Sequence, residues 1–162
     1  MREQFLESLE SRTMLAGDVV LEWNNLAQEA VKLDHGVGAP HLQAGPGPSS
    51  RALAIVQGAI FDAVNAIAKK YTPWLVSDVR AVPGASTEAA AAQAGHDTLV
   101  SLYPYLSSMF DQALANNLKH AAPGAAKLGA KVGQAVAAEV LAARADQRGL
   151  RVGVSGGEIA RR

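Results

Sequence analysis

Ser49 to Lys70 reads SSRALAIVQGAIFDAVNAIAKK, and the placement of its apolar residues decides the fold class. Leu53, Val56, Ile60, Val64 and Ile67 recur at steps of three and four, which puts them on one face of an α-helix. The remaining faces are nearly as apolar. Ile55, Ala59, Phe61, Ala63 and Ala66 leave little of the circumference for water, and a helix of this kind has neighbours on more than one side. Ser49 or Ser50 is the expected N-cap, and Lys69 and Lys70 suit the negative end of the helix dipole. The polar residues of the stretch, Arg51, Asp62 and Asn65, form no familiar catalytic constellation.

On the N-terminal side, His35 to Ser50 (HGVGAPHLQAGPGPSS) is too rich in glycine and proline for a continuous helix or a central strand, and reads as a loop. It lacks the G-x-x-x-x-G-K-[ST] pattern of a phosphate loop, and no strand pattern precedes it. Before it, Asp18 to Asp34 places Val20, Trp23, Leu26, Ala27, Ala30 and Val31 at helical spacing, with Asp18 as N-cap and Trp23 as the apolar anchor whose indole N–H needs a partner. Asn24 and Asn25 beside it are read either as part of a polar network or as exposed amides.

On the C-terminal side, Tyr71, Pro73 and Trp74 lead into a loop punctuated by Pro83 and Gly84. Ser86 or Thr87 caps a third helix that runs to about Tyr103, with Glu88 in its first turn. The alanines of this helix and Gly95 offer so little bulk that a neighbouring backbone can approach closely, and the expected neighbour is the central helix. Pro104 ends it. A fourth helix over Leu106 to Leu118, capped by Ser107 or Ser108, turns Leu106, Met109, Phe110, Ala113 and Leu114 inward. The fifth, Ala125 to Asp146, carries Gly129, Gly133 and Ala137 four residues apart, a smooth groove for another helix. Interior glycines cost about 1 kcal/mol each against alanine, so a close contact is expected to offset them.

These segments add up to an all-α chain: a single-domain bundle of about five helices around a central hydrophobic one, spanning residues 18–146, with disordered termini. Residues 1–17 form a leader or disordered tail and 147–162 a second disordered tail. The length of 162 residues suits one domain. Lys plus Arg and Asp plus Glu both number 15, which removes any electrostatic reason to expect nucleic acid or an anionic membrane as partner. There is no cysteine, so disulfides, thiolate catalysis and sulfur-ligated zinc are excluded. No apolar run is judged to approach the roughly 20 residues of a membrane span, and the reading is of a soluble protein. Charges at Glu7, Glu10 and Arg12 interrupt any ordinary secretory core. Leu6 to Arg12 with Met14, Leu15 and Ala16 instead resembles the short leader of exported planctomycete proteins, which implies export if that leader is functional.

Four pieces carry a further resemblance: VLEWNNLAQEAV (Val20–Val31), SRALAIVQGAIFDAVNAI (Ser50–Ile67), EAAAAQAGHDTLVSLYP (Glu88–Pro104) and VGQAVAAEVLAARADQ (Val132–Gln147). In order and spacing they resemble the N-terminal half of the vanadium-dependent haloperoxidases, in the superfamily that includes the type 2 phosphatidic acid phosphatases. The resemblance implies an all-α fold. It also implies that vanadate, or phosphate in the phosphatases, is held in full-length relatives by a lysine, arginines, a Pro-Ser-Gly-His turn and a second histidine, all in the C-terminal half. Neither Gly47-Pro48-Ser49-Ser50 nor Val154-Ser155-Gly156-Gly157 reproduces that turn. No catalytic, cofactor-binding or metal-ligating residue is therefore carried over. His96, a lone histidine on a packed face, reads as a core residue with both ring nitrogens hydrogen-bonded, and the resemblance implies for it a structural position rather than that of the metal ligand.

Three functions follow as expectations. The first is a truncated haloperoxidase-like scaffold without a vanadate site, inactive alone, whose partner is a missing C-terminal half. The second is a helical interaction module that pairs, through the small-residue faces of its third and fifth helices, with a partner or a second copy. The third, an unrelated enzyme using His96 with Asp97 or Asp62, requires those residues to meet in a pocket.

Overall fold

The computed structural model of the protein describes the backbone of residues 3–154 and the side chains of residues 19–145. Over that span it forms helices α1 (Glu3–Asp34), α2 (Pro46–Ala68), α3 (Thr87–Leu102), α4 (Ser107–Lys119) and α5 (Pro123–Val154), with a 3-10 turn at Pro104–Leu106. The expected all-α single domain with a central apolar helix is what the chain forms. The leader and tail readings fall on residues whose side chains lie outside those described, and residues 1–2 and 155–162 are outside the description altogether.

Several helix ends differ from expectation. Asp18 lies inside α1 and is not its N-cap, because nothing between Glu3 and Asp34 breaks the helix: the stretch holds no proline. Helix α2 starts at Pro46 with Gly45 as N-cap, so Ser49 and Ser50 are in its first turn rather than ahead of it. Pro46 and Pro48 occupy positions whose N–H groups would have had no intrahelical partner, so their missing donors cost nothing there. The Ser49 hydroxyl donates to Gln43 O at 2.9 Å and that of Ser50 to Pro46 O at 2.7 Å. Neither Ser107 nor Ser108 caps α4, because the 3-10 turn delivers the chain through Leu106 without a side-chain cap. For α3 the expectation holds: the Ser86 hydroxyl accepts the Ala89 N–H at 3.1 Å.

Helix α2 packs on α1, α3 and α5, while α3 touches every other helix of the described chain. The tightest joint is between α3 and α5. A methyl group at Gly129 would overlap the carbonyl oxygen of Ser86, and one at Gly133 would overlap that of Ala90 and stand 2.8 Å from Gln93 Cβ. The alanine face of α3 thus meets α5 as well as the central helix. The small-residue faces proposed for a partner are filled by each other.

Two tryptophans complete the packing by the same large-against-small rule. Trp23 is wholly buried, and a methyl at Gly95 would come within 2.9 Å of its ring. Trp74 lies over Gly58 of α2, with the Arg144 guanidinium 4.6 Å from its centroid on the other side. Val56, Leu99, Phe110, Val136 and Val140 are buried between these anchors. Burial of such side chains contributes about 1.5–3 kcal/mol each before entropy is counted.

With 23 residues, α2 is long and apolar enough by length and composition to cross a bilayer, which the sequence reading had not anticipated. Its buried face, however, is committed to three other helices, and Asp62 and Asn65 on it are buried. Such a span is what the core helix of a folded bundle also presents.

Gly133→Ala is expected to lower stability by about 1–3 kcal/mol through overpacking against the α3 backbone, despite a helix-propensity gain of about 1 kcal/mol. Gly124→Ala, with open space around it, should show no such loss. Urea denaturation of the two variants makes the comparison.

Candidate functional site

The buried polar residues are the places where chemistry is to be sought, since each needs a partner. Asp34, at the end of α1, is completely buried and accepts the N–H groups of Leu42 at 3.0 Å and Gln43 at 2.7 Å, and the Tyr105 hydroxyl at 3.1 Å. Burial works to raise its pKa, yet the two backbone donors and Tyr105 outweigh that and hold its carboxyl below the usual carboxylate range. The hydroxyl of the neighbouring Tyr103 is buried without a hydrogen-bond partner, and burial, reinforced by the charge of Asp34, pushes its pKa up to about 12.

Asp62 accepts three backbone N–H groups, from Trp74 at 2.7 Å and from Leu75 and Val76 at 2.9 Å each. One turn later, Asn65 accepts the N–H groups of Lys70 at 3.2 Å and Tyr71 at 2.9 Å and returns an N–H to Tyr71 O at 2.7 Å. Together they fasten the loop that follows α2. The positive φ of 52° at Lys69 is the point at which the chain turns back towards them.

His96 is the remaining candidate. Its side chain is 14% exposed, its Nδ1 lies 2.7 Å from Asp97 Oδ1 and its Nε2 lies 2.8 Å from Asp111 Oδ1. Ionised carboxylates only accept, so the two bonds are made together when both ring nitrogens donate, which is the imidazolium form. The hydrogen bond to Asp97 is the main influence raising the His96 pKa. Burial opposes it, and Asp111 adds to it. Gln93 Nε2 also donates to Asp97 at 2.8 Å, and the Trp23 ring stands edge-on to the imidazole at 6.3 Å.

The sequence reading paired His96 with Asp97 or Asp62. The structure joins it to Asp97 and to Asp111, fifteen residues on in α4, whereas Asp62 is spent on the loop. Asp111 had no sequence signal, because its approach depends on the fold-back at Pro104. In the imidazolium form neither ring nitrogen keeps a lone pair with which to accept a proton, and the four main clefts among the described residues are lined by other side chains. A cleft of about 460 Å³ between α2, α3 and α5 is lined by Gln43, Arg51, Ser101, Leu141 and Arg144, away from it.

The architecture around these residues has a counterpart. The sequence matches the family model described as the vanadium chloroperoxidase N-terminal domain over residues 9–152. The chain belongs to that family. No curated protein and no solved structure matches it. The matched region covers the whole of α2, α3 and α4, and with them Asp62, His96 and Asp111.

Vanadate, the group the family name points to, is an oxyanion that calls for several cationic or N–H donors on one spot. The His96 cluster does not suit it: Asp97 and Asp111 set two carboxylates where an anion would have to approach. His35 is also engaged, with Nδ1 donating to Val31 O at 2.7 Å and Nε2 accepting the Gly45 N–H at 2.9 Å.

Two variants check these assignments. Asp62→Ala strips three N–H groups of their acceptor and should cost about 2–4 kcal/mol, with Asp62→Asn little better because its amide NH₂ would face donors. Urea unfolding followed by tryptophan fluorescence measures this. The lowered pKa of Asp34 contributes stability that is complete above the ordinary carboxylate range and lost as pH falls through the folded value. Tyr105→Phe, by removing one of its donors, should therefore move acid unfolding to higher pH.

Proposed function

We propose that the chain acts as the helical scaffold of a haloperoxidase-type protein and performs no vanadate chemistry by itself. In this reading the domain supports a catalytic half that supplies the cationic oxyanion cradle. The observation that carries the reading is the state of its buried polar groups. Asp34, Asp62 and Asn65 are used to pin loops, and His96 is saturated by two carboxylates. Membership of the N-terminal domain family supports the same division of labour.

The interaction-module reading has less support, since the faces of α3 and α5 on which it relied are packed against each other. Of the two pairs in the enzyme reading, His96 with Asp97 is formed while Asp62 has other partners; that reading has less support because the His96 ring is shared between two carboxylates.

The purified chain, titrated with vanadate and followed by ⁵¹V NMR, is expected to show no stoichiometric uptake. With peroxide and bromide it should oxidise no faster than vanadate in buffer. Tight one-to-one uptake, or bromide oxidation abolished by His96→Ala, would overturn the reading.

A further inference from the structure

We propose that α4 is a hinged flap over Trp23, latched to α3 by the imidazolium bridge between Asp97 and Asp111 and released when His96 loses its proton. Four observations lead to it. First, α4 fully buries only Phe110, with Ala113 nearly so, and its other inward residues Met109 and Leu114 are partly buried, so apolar packing holds it less firmly than the central helices. Second, it is flanked by two short corners, the 3-10 turn Pro104–Leu106 and the turn from His120 to Pro123, where few residues need change conformation for the helix to move. Third, its contacts run mainly to α3, with little to α5.

Fourth, among the described residues its side-chain attachments to other helices are two. One is His96 Nε2 to Asp111 at 2.8 Å. The other is Asn117, which accepts the Trp23 indole N–H at 2.7 Å and donates to Glu22 at 2.7 Å. The second attachment is neutral at its centre. The first is held beside the Asp97 bond only while both ring nitrogens carry protons: a neutral imidazole donates once, so Asp97 and Asp111 then compete for a single N–H and the tie to Asp111 is weakened.

The charged groups acting on His96 are Asp97 from α3 and Asp111 from α4. From α1 it is faced by the Trp23 ring, with Glu22 one hydrogen bond further away through Asn117. All of these charges are negative and favour the imidazolium. A histidine raised above its ordinary value contributes stability that is present below the unfolded value, and loses it as pH rises through the folded value. The flap is therefore closed below the folded-state titration of His96 and opens as pH rises through it.

Opening exposes the indole N–H of Trp23, so hydrogen exchange at that site reads the latch. The test follows the His96 ring protons and the Trp23 indole proton by NMR against pH, with exchange corrected for intrinsic base catalysis. His96 should titrate above about 6.5, the ordinary histidine value. Protection at Trp23 should fall across that titration by about tenfold for each unit separating the closed and open values.

His96→Gln, which keeps hydrogen bonds but no charge, should abolish the pH dependence. Asp111→Asn, at an exposed position where folding is not at stake, should bring the His96 midpoint down and leave Trp23 less protected at neutral pH. A midpoint at or below 6.5, flat corrected protection through the titration, or the same pH dependence in Asp111→Asn would each overturn the latch.

Discussion

Everything in this bundle depends on how closely α3 and α5 can approach. Gly129 and Gly133 meet the carbonyl oxygens of Ser86 and Ala90, so the two backbones touch where side chains would hold them apart. Ser86 is the node of the joint. Its hydroxyl caps α3, its N–H donates to Ala125 O at 3.0 Å, and its carbonyl both accepts the Ala90 N–H at 3.1 Å and lies against Gly129. The first turns of two helices are thereby fixed by one residue. The unfavourable propensity of the glycines is offset by dispersion contacts and a backbone hydrogen bond that no larger residue would allow.

A close α3–α5 pair leaves the remaining volume to be filled by large residues set against small ones. Trp23 on Gly95 does this in the core, and Trp74, partly exposed, does it on Gly58. Each indole also ties together elements distant in sequence. Trp23 connects α1 to α4 through Asn117, and Trp74 carries the loop after α2 onto α2 itself and under Arg144 of α5. Because the alanines of α3 fill little space, its role as the helix that touches all the others is a matter of geometry rather than of hydrophobicity.

That explains what the sequence made legible. The apolar spacing of Leu53 to Ile67 identified α2, the Ser86 cap located the start of α3, and the glycine spacing in α5 foretold a close contact. The centrality of α3 was harder to read, since alanine adds little apolar signal and the partner of a smooth face is not specified by that face. Helix starts at Pro46 and within Met1 to Asp18 were missed because serine and aspartate were read as caps where proline and an unbroken helical run decided the matter. The carboxylate assignments needed the fold. Asp62 serves backbone twelve to fourteen residues away, and Asp111 reaches His96 only after the chain reverses at Pro104.

The distribution of polar chemistry then bears on what the domain is for. An active site keeps polar groups partly unsatisfied so that a substrate can complete them, at a cost in stability. Here Asp34, Asp62 and Asn65 spend their acceptors on backbone N–H groups of the two long loops, which converts glycine- and proline-rich connections into fixed parts of the bundle. For the scaffold function proposed above, loops pinned in this way on a close helical pair are the relevant property, because a catalytic constellation must be held to a fraction of an ångström by its surroundings. Against that background α4 stands apart. Among the described residues it is tied to α3 through a histidine held between two carboxylates, a side chain that can gain or lose a proton, so an adjustable element of the bundle is to be sought there.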